Sequence, residues 1–317
     1  MTHKRKLGLT PLEVSPIAFG GNVFGWTLDE AASFQMLDAF IDSDYNFIDT
    51  ADVYSKWVQG NKGGESETII GKWLSKRGKR DDVVIATKLG AEMDKDKKGL
   101  KASYVKEAVE ASLIRLKTDY IDLYQTHYDD EATPVEETME ALNKLIDEGK
   151  VRYIGASNFK AARIAESNTF ARKNNLQPYV SIQPLYNLYD RQKFEAEYLP
   201  LVQEENLAVL NYYALASGFL SGKYRSEDDL SKSPRGETVK QYLTERGERI
   251  IVALEEVAAN QGASKAQISI AWLLHKPFIT APIASATNEK QLHDLLTSAE
   301  ITLTPEEITL LDNASSY

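Results

Sequence analysis

Three ionisable side chains, Asp49, Lys88 and His127, each close a short apolar run: Asn46-Phe47-Ile48, Val83-Val84-Ile85-Ala86 and Tyr120-Ile121-Asp122-Leu123-Tyr124. A carboxylate, an amine and an imidazole can exchange protons with a substrate, and a lysine can also form a Schiff base with a carbonyl. They act together only if the fold brings the ends of successive runs to one place. Other runs end in polar or small residues in the same way: Gly20-Gly21-Asn22, Ser157-Asn158, Gln183, Asn211-Tyr212 and Ser285.

The elements that must position these groups are legible from the pattern. With Pro16-Ile17-Ala18-Phe19, Tyr153-Ile154, Val180-Ser181-Ile182, Leu207-Ala208-Val209-Leu210 and Ala281-Pro282-Ile283-Ala284, the apolar runs number eight. Short runs of this kind, alternating with amphipathic stretches, read as parallel strands buried on both faces. Helix starts are marked by Thr27-Leu28-Asp29-Glu30, Thr133-Pro134-Val135-Glu136 and Thr304-Pro305-Glu306-Glu307, where a threonine and an acid three residues on can form a capping box. Gly149 ends the second of these helices in the left-handed cap conformation, and Met139, Leu142, Leu145 and Ile146 form its inner face. Eight β-α units in series predict an α/β fold, a single (β/α)8 TIM-type barrel forming one domain over residues 1–317. Lys6 to Val14 reads as an N-terminal hairpin plugging the closed end. The long interval between the seventh and eighth strands contains polar Ser226 to Gly236, which reads as a mobile surface loop. In such a barrel the site lies at the C-terminal ends of the strands, where the polar residues above fall.

Composition narrows the choice. The chain has no cysteine, which excludes disulfides, thiolate metal sites and cysteine nucleophiles and suits a reducing, cytoplasmic setting. A formal charge of −10 argues against nucleic acid and anionic membrane as partners, and no run is long enough to span a bilayer. Gly20-Gly21-Asn22-Val23-Phe24-Gly25 lacks the G-x-G-x-x-G spacing of a doubly wound dehydrogenase. His3, His275 and His293 read as surface or packing residues, and no metal site is expected.

The stretches Asn46 to Tyr54, Val84 to Lys88, Asp122 to His127, Gly149 to Asn158 and Ser221 to Tyr224 together resemble the aldo-keto reductase family, over the chain from about Leu7 onward. The resemblance implies a (β/α)8 barrel that reduces aldehydes or ketones with NADPH or NADH. Its catalytic tetrad falls on Asp49, Tyr54, Lys88 and His127. Tyr54 would give a proton to the nascent alkoxide, with Lys88 lowering the phenol pKa and Asp49 holding Lys88. His127 would bond the substrate oxygen. Potassium-channel β subunits share this fold and tetrad, so a regulatory or redox-sensing subunit that binds NADPH and turns over slowly is a second reading. An aldolase-type lyase using Lys88 is a third.

For the cofactor, the resemblance assigns Ser157, Asn158 and Gln183 to the nicotinamide carboxamide and Tyr212 to the ring face. Ala214, Leu215, Gly218, Leu220, Gly222 and Lys223 would wrap the pyrophosphate. Ser285, Thr287, Lys290 and Gln291 would meet the adenosine end at a helix N-terminus, which favours NADPH. Gly21 and Asn22 at the first strand end, with Asp49, complete the expected cofactor surface. Arg225 or Arg235 would reach a phosphate from the long seventh interval. Two departures stand out: Tyr212-Tyr213-Ala214-Leu215 replaces the family's common Tyr-Ser-Pro-Leu, and Leu295 stands where an asparagine is frequent. Phe24, Trp26, Trp57 and Tyr128 are expected to wall a pocket for an apolar carbonyl compound. Substrate identity and oligomeric state stay open.

Overall fold

The computed structural model describes residues 4–233 and 235–317. His3 lies outside the described residues. Two strands, β1 (Arg5–Lys6) and β2 (Glu13–Val14), pair as an antiparallel hairpin. Eight parallel strands follow in one sheet: β3 (Ala18–Gly20), β4 (Phe47–Asp49), β5 (Val84–Leu89), β6 (Ile121–Thr126), β7 (Val151–Ser157), β8 (Ser181–Gln183), β9 (Ala208–Val209) and β10 (Ile283–Ala284). Each pairs with its sequence neighbour, and β10 pairs with β3. The cylinder is closed by Thr280 N–H donating to Val209 O at 2.9 Å and Ile283 N–H donating to Asn211 O at 2.9 Å. This is the (β/α)8 barrel that the run spacing predicts.

Helices α1 (Glu30–Asp42), α2 (Glu65–Arg77), α3 (Ala102–Leu116), α4 (Val135–Asp147), α5 (Ala161–Lys173) and α6 (Leu199–Glu205) connect the first seven barrel strands. The long seventh interval carries α7 (Gly236–Val239), α8 (Glu245–Gln261) and α9 (Lys265–His275), while α10 (Glu289–Thr297) and α11 (Pro305–Ala314) follow the last strand. His275 and His293 are exposed, as expected. No helix among the described residues is long and apolar enough to cross a membrane.

Two cores result from the alternation of strand side chains. Outward-facing residues such as Ile48, Ile85 and Tyr124 pack under the helices, whereas Phe47, Val84, Ala86, Leu123 and Ala208 fill the barrel. Leu7, Leu12 and Val14 of the hairpin join the inner core, so the hairpin does plug the barrel. Burying each such side chain is worth about 1.5–3 kcal/mol. On the same inward parity, Asp49 sits two residues beyond Phe47, Lys88 two beyond Ala86, and Gln125 two beyond Leu123. The inner core therefore ends upward in a polar layer.

Helix starts depart from the sequence reading twice. Asp29, not Thr27, caps α1, accepting from Ala32 N–H at 2.9 Å. Thr133 donates to Asp130 at 2.6 Å instead of capping, and Pro134 occupies the cap position of α4. The third signal holds: Thr304 and Glu307 form a reciprocal capping box, and Gly149 takes φ 72° after α4. The polar stretch from Ser226 is not irregular; Glu227–Lys232 forms a 3-10 turn, closed by a Ser226–Asp229 capping box.

Candidate functional site

At the C-terminal mouth, Lys88 is fully buried and its ammonium has three acceptors: Asp49 Oδ2 at 2.7 Å, Thr50 O at 2.8 Å and the Tyr54 hydroxyl at 2.9 Å. The Tyr54 hydroxyl also donates to Asp49 Oδ2 at 3.3 Å. The tyrosine arrives there because the chain turns back after β4. Ser55 takes φ 70° and its hydroxyl donates to Phe24 O at 2.7 Å, fixing the loop. His127, one residue past β6, lies beside Tyr54 with ring centroids 6.1 Å apart. Phenol, ammonium, carboxylate and imidazole thus share one mouth.

Electrostatics refine this picture. Tyr54 is half-buried as a residue, but its phenol end is deep in protein. Burial pushes the phenol well above its usual range, with the charge of Asp49 and its hydrogen bond adding to the effect. Burial and Asp49 thus push the phenol the opposite way from the lowering expected of Lys88. Burial lowers the Lys88 pKa, opposed by Asp49. Burial, followed by the charge of Lys88, holds the His127 imidazole well below its usual value, so it is neutral near pH 7. Its Nδ1 is buried without a hydrogen-bond partner among the described residues. The site therefore presents two protonated donors, a phenol and a neutral imidazole, to one space. The engagement of Lys88 by three acceptors gives the Schiff-base reading no support.

Two glutamines that the sequence reading passed over or assigned elsewhere hold the other carboxylate oxygen. Asp49 Oδ1 accepts from Gln183 Nε2 at 2.9 Å and from Gln125 Nε2 at 3.4 Å. Gln125 has a signal in hindsight, its inward parity two residues before His127. Behind the strands, Thr87 donates to Glu67 at 2.6 Å and Arg115 pairs with the same acid at 2.7 Å.

The expected cofactor residues line the rim next to this mouth. Ser157 donates to Gln183 O at 2.9 Å; Asn158, at φ 53°, donates to His127 O at 2.8 Å and accepts from Tyr212 at 2.9 Å. After Tyr212 the backbone is left-handed at Tyr213, Ala216, Ser217, Gly218 and Gly222, with φ between 47° and 97°. The N–H groups of Ala216, Gly218, Leu220 and Gly222 donate to carbonyls within the loop, which holds it in this tightly turned form. Ala214 and Leu220, expected at the cofactor, are instead buried as whole residues in the core beneath this loop; Leu215 is half-buried. Lys223 is exposed, with its ammonium 5.0 Å from the Tyr224 ring.

At the other side, Gly21 is packed so closely that a Cβ would lie 2.9 Å from Ser66 Oγ. Asn22 lies 2.7 Å from Ser285 Oγ and, with its amide oxygen turned outward, accepts from Arg235 at 2.8 Å. Arg235 is half-buried, lies 5.1 Å over the Trp26 ring, and makes no ion pair among the described residues. Arg225 instead pairs with Glu255. A half-buried guanidinium with no ion pair among the described residues is free to take an anionic ligand. Thr287 and Gln291 bond each other at 3.0 Å beside the Asn288 cap of α10, while Lys290 is 81% exposed and pairs with Asp294. Leu295 is buried in the helix core.

Of the four aromatics expected around the substrate, three reach the mouth. Trp26 and Trp57 pack edge-on at 5.6 Å, Trp57 lies 6.1 Å from Tyr54, and Tyr128 stacks on His127 at 4.8 Å. Phe24 does not; it is fully buried and stacks on Phe19 in the core. Tyr213, absent from the expected pocket, has an exposed ring 5.3 Å from Tyr212 and lies close enough to Tyr54 to influence its charge.

A (β/α)8 barrel carrying this polar cluster at its C-terminal mouth is the frame of the aldo-keto reductases. Residues 16–316 match the Aldo/keto reductase family, and the chain belongs to it. It is 33% identical over 315 residues to the Bacillus subtilis oxidoreductase YrpG, covering 97% of this chain and 94% of that protein. It is 34% identical over 319 residues to a probable voltage-gated potassium channel subunit beta of Oryza sativa, covering 97% and 95%. A third relative, the aryl-alcohol dehydrogenase [NADP(+)] of Phanerodontia chrysosporium, is 32% identical over 332 residues, covering 96% and 84%. The protein is an oxidoreductase enzyme of a family that acts on small-molecule carbonyl compounds and binds NAD(P)H.

Proposed function

We propose that this protein reduces aldehydes or ketones to alcohols in the cytoplasm, as one barrel domain, with NADPH preferred over NADH. One observation carries the reading: a buried ammonium bonded to both a carboxylate and a phenol, with a neutral imidazole beside the phenol. A reduced nicotinamide held at the rim would supply the hydride for the carbonyl carbon. Charge then grows on the carbonyl oxygen, which needs donors already in place. Tyr54 gives its proton, and the phenolate left behind is held by Lys88. The His127 imidazole donates an N–H to the same oxygen. Asp49 fixes Lys88, with Gln125 and Gln183 fixing Asp49. The aromatic walls Trp26, Trp57 and Tyr128 suit an apolar or aromatic substrate and exclude water around it.

The cofactor fits residues at the rim. Ser157, Asn158 and Gln183 would hold the carboxamide, Tyr212 the ring face, and the left-handed loop to Lys223 the pyrophosphate. The unpaired Arg235 guanidinium supports a phosphate partner beyond what NADH needs, and the NADP(+) in the aryl-alcohol dehydrogenase's name points the same way. Loss of 340 nm absorbance from NADPH and from NADH, with benzaldehyde derivatives and methylglyoxal, tests the proposal. Turnover with NADPH supports it; tight NADPH binding with no turnover across the panel defeats it. That second outcome would favour a regulatory or redox-sensing subunit, a reading to which the likeness to plant channel subunits lends weight.

A further inference from the structure

Behind the mouth, on the far side of the β4–β5 wall, lies a carboxyl group that the mechanism above does not use. Asp52 is 1% exposed, three residues past Asp49. Its backbone N–H donates to Lys88 O at 3.1 Å, which ties it to the strand that carries the catalytic ammonium. Neither of its side-chain oxygens has a hydrogen-bond partner among the described residues. The hydroxyl of Tyr124, fully buried on β6, is also without a partner and within electrostatic reach of Asp52.

The groups facing Asp52 come from four elements: Glu67 on α2, Tyr104 and Arg115 on α3, Lys88 on β5 and Tyr124 on β6. Two cations serve three acids. Arg115 is taken by Glu67 at 2.7 Å and Lys88 by Asp49 at 2.7 Å, which leaves Asp52 without an ion pair of its own among the described residues. Arg115, Lys88 and the Val53 N–H favour the carboxylate only in part, and burial together with Glu67 outweighs them, so the charged form is the unfavourable one.

We propose that Asp52 is a positioning residue of the reductase reaction: kept as a neutral acid in the wall behind Lys88, it leaves the field of the ammonium to Asp49 and Tyr54. The inference rests on the reading of Tyr54 as proton donor. Burial first, and then the charge of Glu67, moves the Asp52 carboxyl up to about 8. Below that pH the five charged sites behind the mouth sum to zero; above it they carry an excess negative charge. The excess steadies the Lys88 ammonium and opposes formation of the Tyr54 phenolate. Alcohol oxidation needs that phenolate as base, so ionised Asp52 holds the alkaline limb of the oxidation rate at higher pH.

Infrared spectroscopy of the resting wild-type protein tests the protonation without any turnover. A carbonyl band of a buried protonated carboxyl should be present at pH 7, fade as pH rises through about 8, and be missing in Asp52→Asn. Absence of an Asp52-dependent band at pH 7 overturns the inference, whatever substrate the enzyme takes. The second readout is the pH profile of alcohol oxidation. With residue 52 fixed neutral, its alkaline limb should move about 1–2 pH units toward acid, the influence of one charge at roughly 6–12 Å in an effective dielectric near 20. An unmoved limb, with the band present, overturns the positioning role and leaves Asp52 a structural acid. Asp52→Ser supplies both comparisons if the asparagine variant does not fold. Should the carbonyl panel show no turnover at all, the infrared result still stands, which separates the two failures.

Discussion

Replacing Lys88 with methionine keeps the length and volume of the side chain while removing its charge and all three donors. In the folded protein this strips a hydrogen bond from Thr50 O, one from the Tyr54 hydroxyl and the 2.7 Å ion pair from Asp49. Asp49 Oδ2 keeps only the 3.3 Å bond from Tyr54, and Oδ1 keeps its two glutamines. Leaving one member of a buried pair without its partner costs about 3–5 kcal/mol. That is a large share of the roughly 5–15 kcal/mol that holds a domain together. Urea unfolding at pH 7, followed by tryptophan fluorescence, should therefore give Lys88→Met a stability loss in that range, at unchanged slope. Asp49→Asn should lose a similar amount. Asp49→Asn with Lys88→Met together should lose far less than the sum, because no charge is then stranded. Strict additivity, or a loss below about 1 kcal/mol for Lys88→Met, would mean that the pair does not organise this wall; exposed pairs behave that way.

Three further outcomes follow from the geometry. Arg235→Met should weaken NADPH binding about 10- to 100-fold, the worth of a charge-assisted contact of roughly 1.5–3 kcal/mol, with NADH affected less; fluorescence titration with both cofactors measures the difference. Tyr213→Ala should change KM for bulky aromatic aldehydes while leaving KM for a two- or three-carbon aldehyde near wild type, since the exposed ring lies at the mouth and outside the proton path. The Arg77–Asp82 pair holds the Asp82 carboxyl well below the usual range, so its stabilisation is present above the unfolded value near 3.9 and is lost as pH falls further. Urea midpoints of wild type and Arg77→Met should differ at pH 7 and converge below about pH 4.

Much of the fold was legible because parallel barrel strands are buried on both faces and leave short, dense apolar runs. The ends of those runs placed Asp49, Lys88 and His127, since inward parity and strand end coincide there. Helix starts were less legible. Thr27 and Thr133 carry the capping pattern, yet Asp29 caps one helix and Asp130 claims the hydroxyl at the other; which nearby side chain wins depends on a loop path that local sequence does not determine. Phe24 was misplaced for a related reason: an aromatic three residues past rim Gly21 can face either way, and stacking on Phe19 drew it inward. Asp52 and the Glu67–Arg115 pair were invisible as a group, because they meet only when α2, α3 and the barrel strands are packed together. Tyr213 was noted as a departure from the family pattern but gave no direction for its ring.

The account depends most on the Tyr54 hydroxyl as the source of the proton. Steady-state reduction of an aromatic aldehyde by wild type and Tyr54→Phe, together with NADPH affinity by fluorescence titration, measures it directly. The expected result is a fall in kcat of about 10²- to 10⁴-fold with NADPH affinity essentially unchanged. A phenylalanine variant that keeps wild-type kcat, or one that loses activity only because it no longer binds NADPH, would contradict the assignment.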